Sequence, residues 1–189
     1  TLERIVELNK TDPCVKALSF SRNFGHQAAL TAGLEHARGD VVLTMDGDLE
    51  HPPKEIPRFL DKWREGYEIV QGVRSTGSAR SGVLKAMGTW IFYRGFSFLA
   101  DVDIDAWGAD YRLLDRKAVS ALTSIGERTR FLRGLVKWIG FRHTTLTFDP
   151  ATRTSGESSF GLRRLAQLAS AGVLSFSIVP LRLASCAGA

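Results

Sequence analysis

Residues 40–53 read DVVLTMDGDLEHPP, an apolar run that ends directly in two aspartates separated by one glycine. The almost uninterrupted apolar side chains from Val41 to Met45 predict a buried parallel strand. Asp46 and Asp48 would then lie at the carboxyl end of that strand. Open α/β sheets bind their ligands in the crevice at the carboxyl ends of strands, so this stretch predicts both a fold and a site.

The flanking sequence alternates between predicted strands and helices. Residues 15–21 form a short β-rich run, and the turn signal Asn-Phe-Gly at 23–25 leads into an Ala- and Leu-rich helix over 26–37. An amphipathic helix over 54–65 and a strand over 68–73 follow. Alternating strands and helices predict parallel β-α-β units, hence an α/β fold whose mostly parallel sheet has helices on both faces.

The composition is that of one globular domain with a full-sized core. Of the 189 residues, 44% are hydrophobic and 24% are charged, which excludes a disordered or fibrous chain. The formal net charge of +5 favours anionic partners, but no nucleic-acid-binding motif accompanies it, so nucleic acid is not an expected partner. Cys14 and Cys186 have no metal-ligand spacing and suggest neither a disulfide framework nor a zinc site, which indicates a reducing, cytosolic setting.

Three further segments bear on contact with a ligand or with a membrane. Residues 74–80 are basic and rich in Ser, Gly and Thr, which predicts a loop able to close over a ligand. Residues 83–99 predict a helix that is apolar around much of its circumference, and either core packing or lipid contact would explain it. Residues 165–181 carry no charge but are too polar to span a bilayer. A buried helix followed by a strand and a segment lying on a membrane both fit them.

The aspartate pair predicts a divalent metal ion. Asp46 and Asp48 would repel each other without a cation nearby, and their hard oxygen atoms suit Mg²⁺ or Mn²⁺. Such ions are commonly held by one or two carboxylates while substrate phosphates complete the coordination shell, as a nucleoside diphosphate leaving group requires. Asp-x-Asp alone is also typical of a solvated turn, so the surrounding motifs decide between the two interpretations.

Five motifs occur in an order that identifies a family. They are RNFG at 22–25, DGDLE at 46–50, DYRLLDR at 110–116, RFLRGL at 130–135 and RTSGES at 153–158. Together they resemble the family 2 glycosyltransferases, in particular the dolichyl-phosphate mannosyltransferase and bactoprenol glucosyltransferase branch, over almost the whole chain. The resemblance implies a Rossmann-like GT-A fold. It also implies transfer of a hexose, with inversion, from a nucleotide sugar of the UDP-glucose or GDP-mannose type to a polyprenyl phosphate.

The resemblance implies a role for each residue of the DGDLE motif that matches the family. Asp46 and Asp48 would hold the nucleotide diphosphate through Mg²⁺ or Mn²⁺, with Asp48 as the direct ligand and a catalytic residue. Glu50 stands where many relatives have Gln, a position that resembles a third metal contact.

Residues outside the DGDLE motif also match positions of the family. Arg74 and Lys85 match basic positions suited to the acceptor phosphate or the leaving diphosphate, and Arg153 matches a catalytic arginine on a closing loop. Asp110 resembles the position of a base that deprotonates an acceptor hydroxyl. A polyprenyl phosphate is already anionic, so Asp110 would instead orient the phosphate or Arg112.

The chain departs from the family pattern at two places. The opening strand and its Asp-Asp-Gly-Ser motif are absent from residues 1–189, which suggests a single, N-terminally truncated catalytic domain. Ser159 stands where relatives often have Lys. The same fold is also compatible with a soluble or polysaccharide acceptor, or with a non-catalytic module that binds a nucleotide sugar or a membrane.

The lipid acceptor implies a location for the protein. Residues 165–189, with the sequence PLR at 180–182, resemble the family's approach to the membrane. This predicts a membrane-proximal segment and a place at the cytoplasmic face of the cell membrane. Bacterial members often carry membrane helices beyond this point, through which oligomers would assemble.

Overall fold

The computed structural model describes residues 2–75, 108–126 and 131–150, together with Ser185. The helix predicted over 83–99 lies outside the described residues. So do most of the basic loop at 74–80 and nearly all of the segment at 165–189. Within the described part, no helix has the length and apolar character that crossing a membrane requires.

The elements predicted between residues 26 and 73 are confirmed within a few residues. The amphipathic segment predicted over 54–65 becomes a short 3₁₀ helix followed by an α-helix. In chain order the elements are α1 Leu2–Thr11, α2 His26–His36, β1 Val41–Thr44, the 3₁₀ helix Pro53–Glu55, α3 Ile56–Arg64, β2 Ile69–Arg74, β3 Gly108–Asp115, α4 Arg116–Ser124, α5 Leu132–Trp138 and β4 His143–Phe148.

The strand predicted over 15–21 is wrong. None of the described strands pairs with this segment, and its larger apolar side chains are exposed, Leu18 to 50% and Phe20 to 44%. β propensity mainly reflects packing against cross-strand neighbours, so a β-rich run without such a neighbour has little to hold it in a ladder.

The sheet has the strand order β1-β3-β2-β4. β3 pairs antiparallel with β1, opposing Leu114 to Val42, and antiparallel with β2, opposing Leu114 to Ile69. β2 pairs parallel with β4, with Ile69 opposite His143. β1, β2 and β4 therefore run in one direction, and the parallel arrangement predicted for the strands at 41–45 and 68–73 is confirmed, with β3 lying between them. The α/β fold class is confirmed, with a mixed sheet.

Helices cover both faces of the sheet, as predicted. Alternate residues of a strand point to opposite faces, so Leu114 packs with α2, α4 and α5 while Leu113 packs with Phe59 of α3. β1 itself is only partly buried, less than its apolar run predicts, because it is the terminal strand of the described sheet and pairs there with β3 alone.

The end of β3 has a structural role. Asp115 accepts hydrogen bonds from the backbone N–H of Lys117 and from the indole of Trp63, both at 2.8 Å, which caps α4 and ties it to α3. Arg116 donates to the carbonyl of Gly39 at 2.8 Å, after the end of α2. Part of the DYRLLDR motif thus connects helices to the sheet.

Gly72 provides a test of how tightly the sheet is packed. A Cβ atom there would lie 2.7 Å from the carbonyl oxygen of Tyr111 and 3.1 Å from Cε1 of Phe148. We expect Gly72→Ala to lower the free energy of unfolding by about 1–3 kcal/mol, because the backbone must shift. The matched control is Gly33→Ala in α2, where a Cβ meets nothing within 4 Å and helix propensity favours alanine. Equal effects in denaturant unfolding would contradict this packing.

Candidate functional site

The candidate site lies where β1 and β2 end and β3 begins. Because β3 is antiparallel to both neighbours, its first residues reach the edge formed by the carboxyl ends of β1 and β2. The hydroxyl of Thr44, the last residue of β1, donates to the carbonyl oxygen of Asp110 at 2.8 Å. The reversed strand thereby brings Asp110 close to the end of β1, from which the loop with Asp46 and Asp48 continues.

The DGDLE loop is held in a specific turn. The Asp48 carboxylate accepts a hydrogen bond from the backbone N–H of Glu50 at 3.0 Å. Leu49 between them has a φ of 66°, in the left-handed region that a branched side chain rarely adopts. The Asp46 side chain is 36% exposed. The loop therefore fixes the backbone in an uncommon conformation while leaving Asp46 accessible to a ligand.

Directly after this loop, His51 is completely buried. Its Nδ1 accepts a hydrogen bond from the backbone N–H of Asp46 at 2.9 Å. Its ring stacks on Tyr111 with centroids 4.9 Å apart and an interplanar angle of 9°, and it meets the ring of Phe148 edge-on. Burial lowers the pKa of His51, so the ring is neutral and carries its proton on Nε2.

Arg74 ends β2 beside the same loop. Its Nη2 lies 2.9 Å from the Glu50 carboxylate, forming a partly exposed ion pair, and its Nε is buried without a hydrogen-bond partner among the described residues. The structure therefore places Arg74 at the predicted site. It pairs Arg74 with Glu50, the residue that resembles a third metal contact.

Asp110 is the buried centre of a partly exposed cationic cluster, which we define as His26, Arg112 and Arg133 around this carboxylate. One carboxylate oxygen accepts from Arg112 at 3.1 Å and from Arg133 Nε at 3.3 Å. The other lies 3.0 Å from His26 Nε2 and accepts from Arg133 Nη2 at 2.9 Å. Asp110 is only 5% exposed, so these partners replace its solvent.

The cluster fixes the charge of Asp110. Burial alone raises the pKa of this carboxyl, but the hydrogen bond with His26 and the charge of Arg133 outweigh it and hold the pKa well below its usual range. A carboxylate so firmly ionised and bonded on both oxygens is poorly suited to remove a proton. The contact with Arg112 instead matches the expectation that Asp110 orients this arginine.

His26 and Arg133 were not predicted as site residues. Arg133 belongs to the RFLRGL motif, and His26 opens α2 directly after the RNFG motif, where Gly25 turns the chain with a φ of 92°. The pairing of His26 with Asp110 joins residues 84 positions apart, which no local pattern reveals. The only sequence signal was that Arg133 belongs to the RFLRGL motif and that His26 directly follows the RNFG motif.

The His26–Asp110 contact predicts a pH dependence of stability. The hydrogen bond with Asp110 raises the pKa of His26 above its ordinary value of 6.5, with further help from the charge of Asp46 and opposition from burial and from Arg133. The resulting stabilisation is fully present below about pH 6.5 and is lost as pH rises through the folded-state pKa. We expect His26→Gln, which can still donate to Asp110, to flatten this part of the unfolding free energy curve. Identical curves for the two proteins between about pH 6 and pH 8 would contradict the assignment.

Asp46 and Asp48 are the candidate ligands of a metal ion. Within residues 2–75, 108–126 and 131–150, no group of three or more His, Cys, Asp or Glu side chains is gathered as a metal cage. Mg²⁺ and Mn²⁺ do not need one when substrate phosphates complete the shell. Asp46 and Asp48 are partly accessible hard ligands on one loop and fit that mode of binding, while the third contact from Glu50 stays a prediction.

Two predicted site residues, Lys85 and Arg153, lie outside the described residues, as does Ser159. Their roles stay predictions.

Comparison with known proteins agrees with the motifs. The model of glycosyl transferase family 2 matches residues 1–118. An uncharacterized glycosyltransferase of Bacillus subtilis, YkcC, is 39% identical over 188 residues, which cover 100% of this chain and 58% of that relative. The bactoprenol glucosyl transferase of Shigella phage SfV is 36% identical over 173 residues, 92% of this chain and 56% of that relative.

A prophage bactoprenol glucosyl transferase homolog of Escherichia coli K12 is 35% identical over 173 residues and is likewise matched over 56% of its length. The chain thus spans somewhat more than half the length of these relatives. Because the family model covers well over half of the chain and the described fold is α/β, the chain belongs to glycosyl transferase family 2.

Proposed function

We propose that the protein transfers a hexose from a nucleotide sugar to a polyprenyl phosphate, with inversion at the anomeric carbon and with Mg²⁺ or Mn²⁺ as cofactor. The observation that carries this proposal is the juxtaposition of the DGDLE loop with the cationic cluster at one edge of the sheet. A paired-carboxylate loop suits a metal-bound diphosphate, and a neighbouring cationic surface suits a second phosphate. Relatives named bactoprenol glucosyl transferases support the lipid acceptor.

On the donor side, Asp46 and Asp48 would hold the metal ion and, through it, the nucleotide diphosphate. The bound ion would neutralise negative charge that develops on the departing diphosphate. Arg74, beside the loop at the end of β2, adds a positive charge that Glu50 keeps in place through its 2.9 Å contact. The predicted positions of Lys85 and Arg153 would add further positive charge near the leaving group.

On the acceptor side, the cationic cluster would receive the polyprenyl phosphate. Arg112 is almost fully buried, whereas the side chains of Arg133 and His26 are 23% and 50% exposed. Two arginines against one carboxylate leave an excess of positive charge, which a phosphate can use. The phosphate is already an effective anionic nucleophile, so positioning rather than deprotonation is the main task of these side chains.

The proposed acceptor also implies where the protein works. A polyprenyl chain stays in the bilayer, so the site must face the membrane surface at its cytoplasmic side, where nucleotide sugars are found. The segment at 165–189 is the proposed membrane-proximal part of the chain, and assembly into oligomers through the membrane would be compatible with this arrangement.

The proposal is tested with a panel of donors and acceptors. The full-length protein is incubated with Mn²⁺, with labelled UDP-glucose or GDP-mannose, and with either polyprenyl phosphate or a soluble sugar acceptor. We expect label in the organic phase with one of the two donors, only when both polyprenyl phosphate and Mn²⁺ are present. Label on the soluble acceptor alone would show a different transferase. Binding of nucleotide sugar without any transfer would indicate a non-catalytic module.

A further inference from the structure

We infer that His51 is a positioning residue that sets the main chain of Asp46, and hence the direction of its carboxylate, through the acceptor atom Nδ1. This rests on the proposed function, in which Asp46 binds the metal and diphosphate. His51 has no exposed atom and therefore acts on a ligand only through the loop beside it.

The geometry of the loop that carries Asp46 makes its main chain depend on His51. Residues 45–52 contain no helix or strand between the end of β1 and the 3₁₀ helix, so no regular ladder fixes them. The main chain of Asp46 is instead held by His51 Nδ1 at 2.9 Å. A backbone N–H can only donate, so this contact requires an unprotonated Nδ1 and selects one tautomer of the ring.

The ring of His51 is supported by Tyr111 of β3. His51 is stacked on Tyr111, whose hydroxyl donates to the carbonyl oxygen of Pro52 at 2.9 Å. Tyr111 follows Asp110 directly in β3. The ring that fixes Asp46 is therefore stacked on the same strand that carries Asp110 and Arg112, so the donor and acceptor sides of the site share one support.

A histidine meets two requirements at position 51. The position needs a flat ring that stacks on Tyr111 and also a hydrogen-bond acceptor one bond from the ring attachment. Nε2, on the far side, has no hydrogen-bond partner among the described residues. An unsatisfied buried N–H costs stability, so an apolar ring would pack at least as well if packing were the only requirement.

Two variants separate the acceptor from the packing. His51→Phe keeps a ring against Tyr111 and Phe148 but removes the acceptor. His51→Asn removes the ring but places a side-chain oxygen close to where Nδ1 stands. If His51 has a purely structural role, we expect the Phe variant to resemble the wild type. If His51 positions Asp46, we expect the Asn variant to resemble the wild type.

The experiment uses the full-length protein and readouts that do not depend on sugar transfer. Peptide hydrogen exchange is measured over residues 44–51. The affinity for Mn²⁺ is measured by electron paramagnetic resonance in the presence of UDP or GDP, and thermal unfolding is followed without metal. We expect His51→Phe to accelerate exchange in this peptide and to weaken Mn²⁺ binding by about 10–100-fold. His51→Asn should stay within about threefold of wild type in affinity although it unfolds at a lower temperature.

Wild-type exchange and affinity in His51→Phe, or equal losses in both variants, would overturn the inference. If the wild type binds no Mn²⁺ with either nucleotide, the exchange rates decide alone, and unchanged exchange in His51→Phe overturns it. If the wild type transfers no sugar while the two variants still separate in exchange, the proposed function fails and the role of His51 stands.

Discussion

Exchange of Asp110 for asparagine should lower the free energy of unfolding by about 3–5 kcal/mol, because it removes the anion from a buried ionic cluster. Arg112, only 4% exposed, and Arg133 would face an amide instead of a carboxylate. Asparagine has nearly the same size as aspartate, so the loss reports charge rather than a cavity. Denaturant unfolding of the two proteins measures the difference.

The matched control is Asp61→Asn in α3. Asp61 also pairs with an arginine, Arg64, at 3.0 Å, but both side chains are more than 60% exposed, and exposed pairs contribute little. We expect a change within about 0.5 kcal/mol there. A similarly small change for Asp110→Asn would mean that the cluster does not stabilise the fold.

Exchange of Asp48 for asparagine should reduce glycosyl transfer by about 10²–10³-fold with little effect on stability. The side-chain oxygen of asparagine can still accept the hydrogen bond that Asp48 takes from Glu50 at 3.0 Å, so the turn is kept while the charge that we propose to bind the metal is lost. Initial rates at saturating donor, with Mn²⁺ varied, measure the effect.

Asp61→Asn serves again as the control, since it removes one exposed carboxylate that pairs with Arg64 within α3 and should leave transfer unchanged. Transfer by Asp48→Asn at the wild-type rate and with the wild-type dependence on Mn²⁺ would remove Asp48 from the metal site. Loss of transfer together with a large loss of stability would assign it a structural role instead.

The position of the Asp46–Asp48 pair could be predicted because it depends on a local signal. An apolar run that stops abruptly in polar residues marks the end of a strand, and α/β architecture turns that end into a binding edge. The helices over 26–36 and 56–64 were predictable for the same reason, since the helical spacing of apolar residues is a local feature.

The arrangement around Asp110 was not predictable from such signals. β3 enters the sheet between β1 and β2 from a distant part of the chain, and strand order depends on long-range packing rather than on the residues of any one strand. His26 and Arg133 reach Asp110 only because of that insertion. The run at 15–21 failed in the opposite sense, since its β-rich composition found no partner in the described sheet.

The motif at 110–116 shows why motif recognition and structure contribute differently. Recognition selected the segment as a whole and gave Asp110 the position of a base. The structure divides it: Asp110 and Arg112 belong to the site, Tyr111 supports His51, and Asp115 and Arg116 join helices to the sheet. A sequence pattern does not separate chemical from architectural requirements.

In the proposed reaction the acceptor nucleophile is a phosphate. The full-length wild-type protein is incubated with Mn²⁺, the nucleotide sugar that it accepts, polyprenyl phosphate and a soluble sugar acceptor, and the recovered lipid is analysed by mass spectrometry. We expect a lipid heavier by one hexose, joined through a phosphodiester that mild acid cleaves to release the sugar. Unmodified polyprenyl phosphate, with the hexose found instead on a hydroxyl of the soluble acceptor, would contradict the proposed reaction.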